Sequence, residues 1–154
     1  MTHEERIAII RDYVPRLRAL IAGLSDEQLT TAYNAPEWTI AQNVHHLVDS
    51  HMNGYLRFKL ILTEENALLR VYDQDAFATL PDAVSPDLSF SLTILDGLHG
   101  RWAHVLATIV DWGKAGYHPG LARKVTLGDL LAIYSDHCEA HLQQIQAVID
   151  KMPT

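Results

Sequence analysis

Apolar residues return every three or four positions along four separate stretches of this chain, and that is the spacing of amphipathic helices. The first stretch runs from about Glu4 to Ala22, with Ile10, Val14, Leu17, Ile21 and Leu24 on one stripe; Pro15 inside it predicts a kink or a late restart. Ser25 with Gln28 has capping-box spacing just beyond. The second helix is expected to begin after Trp38, where Thr39 and Gln42 form another capping box. Ile40, Val44, Leu47, Val48, Tyr55, Phe58 and Leu62 then share a face. The third starts around Pro86-Asp87-Leu88 and carries Leu88, Leu92, Leu95, Trp102, Leu106 and Ile109. Thr126 and Asp129 cap the fourth, whose stripe is Leu127, Leu131, Tyr134, Cys138, Leu142, Ile145 and Ile149.

Each stripe has to be buried against another, so the pattern predicts an all-α, four-helix bundle formed as a single domain over residues 1–154. No convincing alternating strand is present, although Lys124 to Thr126 could be extended. About 25 residues, from Thr63 to Pro86, separate the second and third helices, too many for a tight hairpin. They could cross the bundle end to end, which would run those two helices in the same direction. The crossing carries Tyr72, Asp73, Asp75 and Phe77, and long crossings of this kind often hold functional groups.

A net charge of −7 argues against a nucleic-acid partner and against anionic membranes. No apolar run approaches the ~20 residues of a membrane span, and the acidic start MTHEERIAII lacks a signal-peptide pattern. A single cysteine, Cys138, cannot form an internal disulfide, so a cytoplasmic location is expected.

Nine histidines are many for 154 residues, and five of them lie in HHLVDSHMN, from His45, and HCEAH, from His137. His137 and His141 are four apart, so they project from one side of the last helix beside its apolar stripe. Buried imidazoles need partners: hydrogen bonds to core carbonyls would serve, and so would a divalent metal completed from a neighbouring helix. Glu139 stands two positions after His137 rather than one, so this is not the zincin pattern, and it points to another face. His45, His46 and His51 compete for the third place. Periodicity favours His51 as the buried one, with His45 and His46 on its flanks. His99 is the weakest inward candidate, His104 is expected in solvent, His118 lies in a YHP loop and His3 is terminal.

The stretch EWTIAQNVHHLVDSHMNGYLRFKLILTE, together with HGRW, YHP and HCEAHLQQI, resembles the YfiT branch of the DinB-like proteins over Ser25 to Ile149. That resemblance implies up-down-down-up helix order, a homodimer, and one zinc or nickel ion per chain held by His46, His137 and His141. Pro36 and Glu37 depart from the glycine pair common at that point in the family. The activity implied is metal-dependent hydrolysis of a small-molecule substrate. The alternatives are transfer of a low-molecular-weight thiol, as in bacillithiol or glutathione transferases, and a non-catalytic metal-binding stress protein. Asp49, one turn from His46, could accept a hydrogen bond from a ligand imidazole.

Overall fold

The structure is a computed structural model describing residues 1–153. The first amphipathic stretch is two helices, α1 (His3–Arg11) and α2 (Tyr13–Ile21), separated at Asp12. Pro15 explains the break. It has no amide to offer the Arg11 carbonyl, and its ring crowds that carbonyl. A short α3 (Asp26–Thr30) starts at the Ser25–Gln28 capping box, and the 24-residue α4 (Ile40–Thr63) starts at the Thr39–Gln42 box.

The crossover that follows contains α5 (Gln74–Phe77) and leads to α6 (Ser89–Leu106). Between α6 and α7 (Leu127–Ile149) lies a feature the periodicity missed, an antiparallel hairpin of β1 (Ala115–His118) and β2 (Arg123–Thr126). Four-residue strands are too short to show alternation; of the possible strand only Lys124 to Thr126 was visible. The crossover pairs with this hairpin: Tyr117 donates to the Ala67 carbonyl at 2.8 Å and Leu69 donates to the Tyr117 carbonyl at 2.9 Å. Ala67 and Leu69 are buried there, so the first part of the crossover is anchored rather than free.

Side-chain contacts give the helix directions. His45 meets Ser91 and His51 meets His99, so α4 and α6 run parallel, as the long crossing predicted. Asn43 meets His141 and Arg57 meets Tyr134, so α7 runs antiparallel to α4. Arg6 pairs with Asp136 and Arg16 with Glu139, which sets α1–α2 parallel to α7. The order is up-down-down-up. The core joins Ile10, Tyr13 and Leu17 of the first strut to Leu47 and Phe58 of α4, Leu95 and Trp102 of α6, and Leu130 and Ile145 of α7. Gly54 lets α4 come close: a Cβ there would stand 2.5 Å from the Tyr134 ring and 2.9 Å from Trp102. No helix among the described residues is long and apolar enough to cross a membrane.

Candidate metal centre

Antiparallel packing of α4 on α7 brings one histidine of the early segment against two of the late one. His46 Nε2 lies 3.3 Å from His137 Nε2, and His141 Nε2 lies 3.0 Å from His137 Nε2. All three nitrogens fall within 4.8 Å of one another. Nitrogens held ~2.0–2.1 Å from one tetrahedral ion would be about 3.3 Å apart, so the triangle has the right scale for a zinc-sized cation.

Burial keeps these rings neutral. It pushes His46 and His141 down to about 4; for His137, burial and then the neighbouring His141 and His46 push it down to about 2. Asn43 settles the tautomer of His141. Its side-chain amide donates to the Thr39 carbonyl at 2.9 Å, which turns its oxygen toward His141 Nδ1, 2.7 Å away. That ring nitrogen therefore donates, and Nε2 keeps a lone pair aimed at the cluster. Converging lone pairs of neutral imidazoles repel one another unless a cation lies between them, so the donor set fits a divalent metal.

The cluster forms part of the wall of a cavity of about 480 Å³, together with Glu37, Trp38, Gln74, Asp75 and Gln144. Trp38 packs against the His46 ring with centroids 4.8 Å apart. A second cavity, of about 310 Å³, is lined by Arg57, Tyr72, His118 and Tyr134 and shares His137 and Gln74 with the first. Desolvation raises the Tyr72 hydroxyl to about 12. Of the two crossover aspartates, Asp75 reaches the first cavity, while Asp73 caps α5 by accepting from the Ala76 amide at 3.0 Å.

The other histidines divide clearly. His45 is a satisfied core residue: Nε2 donates to the Ser85 carbonyl at 2.8 Å, and Nδ1 accepts from the Ser91 hydroxyl at 2.7 Å. His51 is fully buried, as its place in the stripe predicted, but it stands behind the triangle, with Nε2 3.1 Å from His137 Nδ1. His99, expected to be the weakest inward candidate, is only 1% exposed, with Nε2 2.7 Å from His51 Nδ1. The spacing Leu95, His99, Trp102, Leu106 is an unbroken helical stripe and carried the signal. Glu139 faces away, paired with Arg16, and His104 is exposed. The Asp49 carboxylate hydrogen-bonds no imidazole among the described residues, whereas Asn43, on the opposite flank of His46, accepts from His141 Nδ1. Asn43 could have been found as a polar residue on the buried face of α4.

The sequence pattern of the DinB superfamily matches residues 14–145. The chain belongs to the DinB superfamily. Within the superfamily it is 39% identical over 148 residues to a Bacillus subtilis protein named "Putative metal-dependent hydrolase YfiT", covering 95% of this chain and 83% of that one. A Bacillus licheniformis protein, also named as a metal-dependent hydrolase, is 44% identical over 133 residues, covering 85% of this chain and 76% of its own. The solved structure of the Bacillus subtilis protein superposes with a TM-score of 0.92 at 38% identity, over 97% of this chain and 87% of that one. It is described as a probable metal-dependent hydrolase with an unusual four-helix bundle topology. The DinB fold thus accounts for the parallel α4 and α6.

Proposed function

We propose that this chain is a metal-dependent hydrolase acting on a small-molecule substrate, with one zinc or nickel ion held by Nε2 of His46, His137 and His141. The observation that carries this reading is the convergence of three neutral imidazole nitrogens, two on buried rings and one on the half-buried His137, in the wall of an open cavity. Three protein ligands leave coordination positions free, as in catalytic rather than structural sites. A bound divalent ion supplies Lewis acidity, which makes water a nucleophile near neutral pH and polarises a scissile carbonyl or phosphoryl group. The chain's own residues do the rest. Asn43 holds His141 in the ligating tautomer, and Trp38 shields one side of the His46 ring. Asp75 lines the same cavity as the three histidines and is a carboxylate suited to take a proton from the attacking water.

A thiol transferase is the second reading, and Arg57 favours it. Its guanidinium donates to the Arg70 carbonyl and the Tyr134 hydroxyl and pairs with no carboxylate among the described residues. A cation held only by neutral acceptors beside His137 would suit an anionic thiol cofactor. Whichever reaction it catalyses, we propose that the chain forms a homodimer, supported by exposed Phe90 and Ile94, one turn apart on α6. Sedimentation tests that part.

The deciding experiment begins with elemental analysis of protein purified without chelators, where one divalent metal per chain is expected. Metal-loaded protein is then offered a panel of esters and amides and, separately, electrophiles with cellular thiols. Turnover of the first panel, abolished by chelation and restored by zinc or nickel, supports hydrolysis; turnover of the second alone supports transfer. Absence of metal, with no uptake on adding zinc or nickel, sinks both.

A further inference from the structure

Two histidines outside the triangle form a line that leads from it to the main chain. His137 Nδ1 lies 3.1 Å from His51 Nε2, His51 Nδ1 lies 2.7 Å from His99 Nε2, and His99 Nδ1 lies 2.6 Å from the carbonyl oxygen of Ile10. We propose that His51 and His99 are positioning residues that lock His137 in its Nδ1–H tautomer, with the Ile10 carbonyl as the fixed end of the line. The proposal rests on the metal-binding reading above, since its consequence is a bare Nε2 on His137.

The assignment follows by elimination. A carbonyl oxygen only accepts, so His99 Nδ1 carries the hydrogen. A neutral imidazole has one ring hydrogen, so His99 Nε2 accepts and His51 Nδ1 donates to it. His51 Nε2 is then an acceptor, and His137 Nδ1 donates to it. His137 Nε2 is left with a lone pair, and it faces Nε2 of His46 and His141. His51 and His99 are buried and no carboxylate among the described residues hydrogen-bonds any of the three rings, so nothing offsets a charge there and the one-hydrogen count holds throughout. A free imidazole prefers the opposite, Nε2–H form, which would block the metal; the line reverses that preference.

The chain break explains why the Ile10 carbonyl is available. In a continuous helix it would accept from the amide of Val14. With the helix interrupted at Asp12, no backbone amide among the described residues donates to it, and His99 takes the place. The surroundings exclude competing water: Tyr13 stacks on His99 at 5.5 Å between centroids, and Trp102 presents its edge to His51 and His99. Pro15, at the surface of the first strut, is in this way connected to the ligand set.

Long-range proton–nitrogen correlation spectra of the metal-free protein, labelled with ¹⁵N-histidine, read the tautomers directly. The expected result near neutral pH is Nδ1–H with a bare Nε2 at His99, His51 and His137. In His99→Leu the His137 signals should become a tautomer mixture, and zinc affinity, measured against a chromophoric chelator, should fall by about tenfold to a hundredfold. His99→Gln offers a donor and an acceptor at similar spacing and should restore both. A wild-type His137 found as Nε2–H overturns the proposal, as does a folded His99→Leu with unchanged tautomer and affinity. Should His99→Leu fail to fold, the wild-type spectrum and the His99→Gln variant decide. Because the spectra are taken without metal, a protein that hydrolyses nothing leaves this result intact, so the two failures are distinct.

Discussion

Asn43 and His141 meet across the α4–α7 interface with Oδ1 and Nδ1 2.7 Å apart, and this one bond holds an imidazole of the histidine triangle in register. Asn43→Ala should weaken zinc binding by about tenfold to a hundredfold, the usual effect of losing the partner of a ligand histidine. Asn43→Asp keeps an acceptor for His141 but loses the donor to the Thr39 carbonyl, so its affinity should lie between that of Asn43→Ala and that of the unaltered protein. Chelator competition measures both, and equal affinity in Asn43→Ala would remove Asn43 from the site.

Three early histidines are buried on α4, yet only His46 belongs to the triangle. His46→Ala should cost several orders of magnitude in metal affinity. His45→Ala should leave affinity nearly unchanged while lowering the melting temperature, because Ser85 and Ser91 lose their partner and with them the tie between α4 and the end of the crossover. His51→Ala should fall between them. Metal binding retained in His46→Ala and lost in His45→Ala would reverse the assignment.

Local chemistry made much of this legible. The Thr39–Gln42 and Thr126–Asp129 boxes start α4 and α7 where the sequence placed them, and the i, i+4 spacing of His137 and His141 put both on one side of α7. The choice of His46 over His51 came from resemblance. Periodicity identifies the centre of a buried face, and that is where His51 is, but the triangle opens at the flank, toward the cavity. His99 and Asn43 were harder to see because their partners are 89 and 98 residues away. Their roles arise only once the crossover has set α4 parallel to α6 and antiparallel to α7. The hairpin escaped because its fit depends on long-range packing: a Cβ on Gly116 would come within 3.0 Å of the Ala67 carbonyl.

Removing the metal should leave the helical circular dichroism intact near neutral pH, since four amphipathic faces remain buried. The metal-free protein should, however, be sensitive to acid. His46 and His141 are depressed from 6.5 to about 4 in the fold. Below 6.5 the unfolded chain binds protons that the folded one refuses, so stability is complete above that value and falls as pH drops toward 4. The slope approaches about 1.4 kcal/mol per pH unit for each such group. Thermal melts across that range check it, and His46→Gln should reduce the slope. A melting temperature that stays flat from pH 6.5 to pH 4.5 would contradict the burial of neutral rings.

Gly54 is the point where α4 approaches both aromatic neighbours. Tyr134 and Trp102 are buried, and the Tyr134 hydroxyl is held by Arg57 at 2.7 Å, so neither ring has an easy route away from a new methyl group. Gly54→Ala removes a helix-weakening glycine, a gain of roughly 0.5–1 kcal/mol, but forces contacts of 2.5 to 2.9 Å. Overpacking of that kind costs typically 1–3 kcal/mol, so the clash should win and the melting temperature should fall. Tyr134 lies one turn before His137 on α7 and its ring edge faces that imidazole at 6.2 Å between centroids. Displacing it should therefore also loosen His137 and reduce zinc affinity modestly, while Gly97→Ala, where a Cβ meets nothing within 4 Å, should do neither. Equal or higher stability in Gly54→Ala would mean that the helices separate at little cost, and the close approach of α4 would lose its structural importance.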